Sequence, residues 1–99
     1  MQDEYLKNKV LEINLKLNSS WKRLVISEFD EGAEVLKQAV GNINEIADYC
    51  MKNHIKIRLD SKKISNLLHK INQCFKKHQY IEAADIIKYK LVKIVGSIS

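Results

Sequence analysis

Ninety-nine residues, with no proline and only three glycines, suffice for one continuous core. At this length folding buries roughly 65% of the surface the unfolded chain exposes. An apolar content of 45% excludes a disordered chain, and no run approaches the ~20 consecutive apolar residues of a membrane span. The net charge of +5 hides a split: residues 1–48 hold nine acids and six bases (−3), whereas residues 49–99 hold three acids and eleven bases (+8).

In chain order, Tyr5 or Leu6, Val10, Ile13, Leu17, Trp21 and Leu24 recur at steps of about three and four, the stripe of an amphipathic helix. Asp3 and Glu4 fall in its first turn, where negative charge suits the helix dipole. Asn18-Ser19-Ser20 favours caps and turns, so the pattern allows one long helix or two shorter pieces. The alternation over residues 13–17 also fits a strand, but no partner strand occurs elsewhere.

The stretch Ser27-Glu28-Phe29-Asp30-Glu31-Gly32 is the expected first connection, with Asp30 as N-cap of the second helix. Ala33, Leu36, Val40, Ile43, Ala47 and Cys50 then share one face, and Asn53-His54 ends the run. Gly41 lies inside this helix at a cost of about 1 kcal/mol relative to alanine, which predicts a close helix crossing there. Ile55 to Leu59 reads as an extended connector. Asp60 or Ser61 caps a third helix with an apolar stripe of Ile64, Leu67 or Leu68, Ile71, and Cys74 or Phe75. Its opposite face carries Lys62, Lys63, Asn66, Lys70, Gln73 and Lys77.

After a short turn at Lys77-His78-Gln79 comes the most strongly patterned stretch, residues 78–95. Tyr80, Ile81, Ala84, Ile87, Leu91, Ile94 and Val95 form its stripe, small Ala83 and Ala84 allow a close neighbour, and Gly96 stands where a left-handed cap would sit. Four amphipathic helices with short joins predict an all-α, antiparallel up-down-up-down four-helix bundle forming a single domain over residues 1–99. Helices one and two come to roughly 35 Å each and helices three and four to roughly 26 Å. The first hairpin should then overhang the second and leave apolar surface for a partner or a second copy.

Two Cys-x-x-x-His spacings, Cys50/His54 and Cys74/His78, place each pair on one helical face, as a zinc site would require. They end helices two and three, which run antiparallel, so the pairs should lie about 20 Å apart, too far for one ion. The expectation is two buried reduced thiols, two histidines at helix ends, and no metal or cofactor. Glu82 and Asp85, one turn apart, read as structural, with Asp85 within reach of Lys88 and Tyr89. An Arg-x(4–6)-His ribonuclease motif is absent, since Arg58 and His69 are too far apart and Arg23 has no histidine near it. With no nucleophile elbow, P-loop or dinucleotide fingerprint either, no catalytic residue is expected and the protein is not read as an enzyme. The acidic start Met1-Gln2-Asp3-Glu4 is unlike a basic signal peptide, which points to an unexported, cytoplasmic protein.

The pattern Tyr80-Ile81-x-x-Ala84-Asp85-x-Ile87-x-Tyr89 resembles the closing helix of small helical proteins of unknown function from low-GC Gram-positive bacteria. There the stretch tends to read Asp-Tyr, Ala-Asp, Leu-Glu-Tyr-Glu. This chain departs at Gln79, Lys88 and Lys90, where that pattern carries acids. The resemblance implies a helical domain and a bacterial source, and no activity.

Two functions remain. The first is a non-enzymatic protein-interaction module, an adaptor or chaperone-like bundle, self-associating or bound to another protein, with Trp21 and Phe29 as aromatic anchors. It is similar in architecture alone to the helical chaperones of flagellar export subunits. The alternative is a nucleic-acid- or anionic-surface-binding domain using Lys62, Lys63, Lys70 and Lys77 of helix three. Fifteen of the seventeen bases are lysine, as the residue usage of an AT-rich genome also gives, and aromatics are not interleaved with the lysines in sequence.

Overall fold

The structure, a computed structural model, describes residues 4–57 and 59–98. The expectations resting on residues 1–3 and on Arg58 lie outside the described residues. The chain forms α1 (Glu4–Val25), α2 (Phe29–Lys52) and α3 (Ser61–Lys76). Then α4 (Tyr80–Ile86), a π-helical turn (Ile87–Leu91) and α5 (Val92–Gly96) follow without a break and make one fourth helix. It is the expected all-α four-helix bundle, with α1 and α2 the longest helices. α1 packs on α2 along one side and on the fourth helix along the other, and α3 packs on the fourth helix.

α1 is unbroken at Ser19-Ser20. Ser20 is fully buried, and its hydroxyl donates to the Gly32 carbonyl of α2 at 2.7 Å. The side-chain amide of Asn18 donates to the Asn14 carbonyl one turn back at 3.0 Å. Polar groups that would favour a turn are thus engaged without leaving the helix. Ser20 becomes an inter-helix bond within the seam of Val10, Ile13, Leu17 and Leu24.

The close crossing lies at Gly32, and Gly41 takes no part in it. A Cβ on Gly32 would stand 2.9 Å from Leu24 Cδ2 and Cγ and 3.3 Å from the Leu24 backbone nitrogen, whereas one on Gly41 would meet nothing within 4 Å. Gly32 is accordingly inside α2, which begins at Phe29, and the connection is only Ile26-Ser27-Glu28. Asp30 is a first-turn residue, not the N-cap; Glu28 takes that position without a side-chain cap. The buried seam of α2 is rotated from the expected one. Gly32, Leu36, Ala39, Ile43, Ile46 and Cys50 are buried, while Ala33, Val40 and Ala47 flank them.

Three helices end in the same way. Ser27, His54 and His78 have positive φ (69°, 54° and 58°). In each case the next residue's N–H reaches five residues back: Glu28 to the Arg23 carbonyl (2.7 Å), Ile55 to Cys50 (2.9 Å) and Gln79 to Cys74 (2.8 Å). These are Schellman closures. The repeated Cys-x-x-x-His follows from them, because the cysteine occupies the buried last turn and the histidine the left-handed position four residues on. Gly96, by contrast, is helical, and no glycine has positive φ, so the expected left-handed cap at that position does not form. Asp60 does cap α3, accepting from the Lys63 N–H at 3.0 Å.

Ala83 and Ala84 are fully buried in the fourth helix, as are Ile87, Leu91 and Val95, while Ile81 of the expected stripe is exposed. A step of four carries a side chain about 40° past a full α-helical turn. The π turn widens the coil between Ile87 and Leu91 and keeps 87, 91 and 95 on one line. In the connector between α2 and α3, Ile55, Ile57 and Leu59 are partly buried and pack against the core.

The crossing makes opposite predictions for two glycines. Gly32→Ala should destabilise by about 1–3 kcal/mol through overpacking against Leu24, and Gly41→Ala should stabilise by about 1 kcal/mol, both read from urea denaturation midpoints. His54→Gly should likewise raise the midpoint, by about 1 kcal/mol, by relieving an L side chain of left-handed backbone.

Candidate polyanion-binding groove

Part of the charge in the N-terminal hairpin is paired within it. Lys9 bonds Glu45 across the α1–α2 seam at 2.9 Å and approaches Glu12 at 3.7 Å. Lys16 reaches Glu12 at 3.2 Å and donates to the Asn42 side-chain oxygen at 2.7 Å. Asn42, buried, donates in turn to Glu45 at 3.3 Å. The hydrogen bond between Lys9 and Glu45 raises the lysine pKa and lowers that of the carboxylate, so both stay charged over a wider pH range. Arg23 pairs with Glu28 at 3.0 Å.

The second hairpin is different. Between α3 and the fourth helix runs a groove of about 570 Å³ lined by Lys63, Asn66, Leu67 and Lys70 on one wall and Tyr89, Lys90, Lys93, Ile94 and Ser97 on the other. Among the described residues no carboxylate lines it, and none of its four lysines makes an ion pair. Asp60 lies in the adjoining hollow, which shares Lys63, Ile94 and Ser97 with the groove, and is occupied in capping α3. Leu67 and Ile94 form the apolar floor because they flank the α3–fourth-helix seam. The four lysines, all exposed, lie three or four residues or one residue from these floor positions along their helices.

The groove joins two residues of the sequence-based set, Lys63 and Lys70, to two that were not singled out, Lys90 and Lys93. Lys62 and Lys77 are exposed on α3 outside its lining. Tyr89, 66% exposed, stands among these lysines, so an aromatic is interleaved with them in space although not in sequence. The π turn spaces it there: Ile87 and Leu91 are both buried, and Tyr89 and Lys90 between them face outward. The local signals for these residues were lysines at 90 and 93, one turn apart, but nothing in the sequence ties that face to the face of α3.

Trp21 and Phe29 are half-buried and packed against the core. Lys88 lies over the Trp21 ring at 4.6 Å and donates to the Asn18 side-chain oxygen at 3.1 Å. Phe29 stacks on Tyr80 with ring centroids 3.8 Å apart. Both aromatics sit near the turn end of the bundle, where the starts of α2 and the fourth helix meet, away from the overhanging ends of α1 and α2. Asp85 is exposed and in no ion pair with Lys88, contrary to expectation. Cys50 and Cys74 are buried and form no disulfide, and among the described residues no three His, Cys, Asp or Glu side chains are grouped to hold a metal. No described helix is long and apolar enough to cross a membrane.

Comparison with protein-family models, with curated proteins and with solved structures finds no match for this chain.

Proposed function

We propose that this protein is a non-enzymatic binding module that takes a polyanion in the groove between α3 and the fourth helix. The observation carrying this reading is the cluster of Lys63, Lys70, Lys90 and Lys93 on two facing walls, with no carboxylate among the described lining residues. Like charges held together without counter-charge repel one another, and an anionic chain relieves that repulsion while releasing its own counterions. In the N-terminal hairpin, by contrast, Lys9 and Lys16 are already paired with Glu45 and Glu12.

Position, not total charge, is what the test must isolate. Retention on heparin–agarose should persist to substantially higher salt for the native chain than for the quadruple variant Lys63→Gln, Lys70→Gln, Lys90→Gln, Lys93→Gln. A control with the same charge change at exposed positions elsewhere (Lys7→Gln, Lys22→Gln, Lys37→Gln, Lys52→Gln) should elute much closer to the native chain. Equal losses in the two variants would reduce the groove to a share of the net charge.

A second reading, the protein-interaction module, is favoured by a different feature. Leu11 and Leu15 are 54% and 72% exposed, four residues apart on the outward face of α1. Such a ridge is complementary to itself, so a second copy related by a two-fold axis is the partner it fits. If the ridge is used in this way, Leu11→Gln/Leu15→Gln should convert a dimer to a monomer in sedimentation velocity while moving stability by less than about 0.5 kcal/mol.

A further inference from the structure

Building on the polyanion reading, we infer that the ligand of the groove is single-stranded nucleic acid, with one base stacked on Tyr89. Three features select this ligand. First, Tyr89 presents an exposed aromatic ring amid the lysines, and a ring offers the carboxylates of an acidic peptide much less than it offers a base, whose flat π-face stacks on it. Second, the lysines occupy both walls, so the phosphates of a strand lying along the groove above the seam can be met from both sides. A flexible single strand fits there, whereas a duplex or a flat lipid surface would meet the rim alone. Third, the walls are polar at the positions left over, Asn66 and Ser97, whose side chains both donate and accept hydrogen bonds, and neither adds negative charge.

Lysine in place of arginine fits this assignment. A point charge on a flexible stem follows a strand without demanding a fixed geometry, whereas the planar arginine fork favours bidentate recognition. The site is thus built to hold a strand by its phosphates and one base face, with little preference among sequences. The sequence itself separates these parts: Lys63 and Lys70 are seven residues apart on α3, and Tyr89, Lys90 and Lys93 come about twenty residues later. Only the antiparallel packing of the two helices brings them together.

The test is fluorescence anisotropy of the full chain with three probes: a labelled 15-nucleotide oligothymidylate, a duplex of the same length, and labelled polyglutamate, each in a salt series. The single strand should bind tightest. Four phosphate contacts give a log–log salt slope of about −3 for a single strand, or about a 50-fold loss of affinity between 50 and 200 mM salt. Tyr89→Ala should weaken oligothymidylate at least about fivefold without changing that slope, and Tyr89→Phe should retain binding. Lys70→Gln should make the slope shallower by about 0.7. Circular dichroism of each variant confirms that the fold persists, as it should for two exposed side chains. Binding of duplex or polyglutamate as tight as that of the single strand, or an unchanged affinity in Tyr89→Ala, overturns the inference. In either case a loss in Lys70→Gln leaves the polyanion reading standing. No salt-sensitive binding of any probe overturns both.

Discussion

Gly32 lacks a side chain because Leu24 occupies the space where one would be. That contact, with the buried Ser20 hydroxyl bonded to the Gly32 carbonyl at 2.7 Å, brings α1 and α2 to closest approach and fixes how far each slides along the other. The rest of the bundle inherits the alignment. It places Lys9 opposite Glu45 and Lys16 opposite Asn42, so the polar ladder of the hairpin forms in register. It also sets the level at which Phe29 starts α2 and meets Tyr80 at the head of the fourth helix, the stacking that ties the two hairpins together at their turn end.

The distribution of charge follows from the same architecture. In the first hairpin, Lys9, Lys16 and Arg23 pair with Glu45, Glu12 and Glu28. In the second, α3 and the fourth helix both turn lysines toward the line where they meet, and the carboxylates there, Glu82 and Asp85, are exposed on residues outside the groove lining. Exposed lysines need no partner to be stable in water, since the cost of a few unpaired charges at high dielectric is small. Their shared position on two walls is what distinguishes them from a merely solvated face.

Two local features carry more than their length suggests. The π turn keeps Ile87, Leu91 and Val95 in the core, and it leaves Tyr89 and Lys90 on the outer arc of the same coil. π-helical turns occur frequently at functional sites, and here the turn supplies part of one wall of the groove. The three Schellman closures end their helices on Ser27, His54 and His78, none of them glycine, at some cost in backbone strain. They account for the doubled cysteine–histidine spacing, which a reading for metal ligands alone would overinterpret.

Much of the fold was legible in the residues themselves. Helical spacing of apolar side chains is a local property, and it marked four helices, the short turn at residues 77–79 and the greater length of the first two helices, while the cap of α3 stayed open between Asp60 and Ser61. It also placed Ala83 and Ala84 in the core. What it could not decide is which face of each helix turns furthest inward, because flanking apolar residues such as Val40 and Ile81 satisfy the same spacing as the buried ones. Nor could it locate the close crossing: Gly32 and Gly41 look alike until Leu24 is seen against one of them. The groove lies wholly on the tertiary side of this division. Lys63, Lys70, Tyr89, Lys90 and Lys93 become a single surface only because two helices far apart in the chain pack antiparallel, and proximity across a seam is not written in either helix by itself.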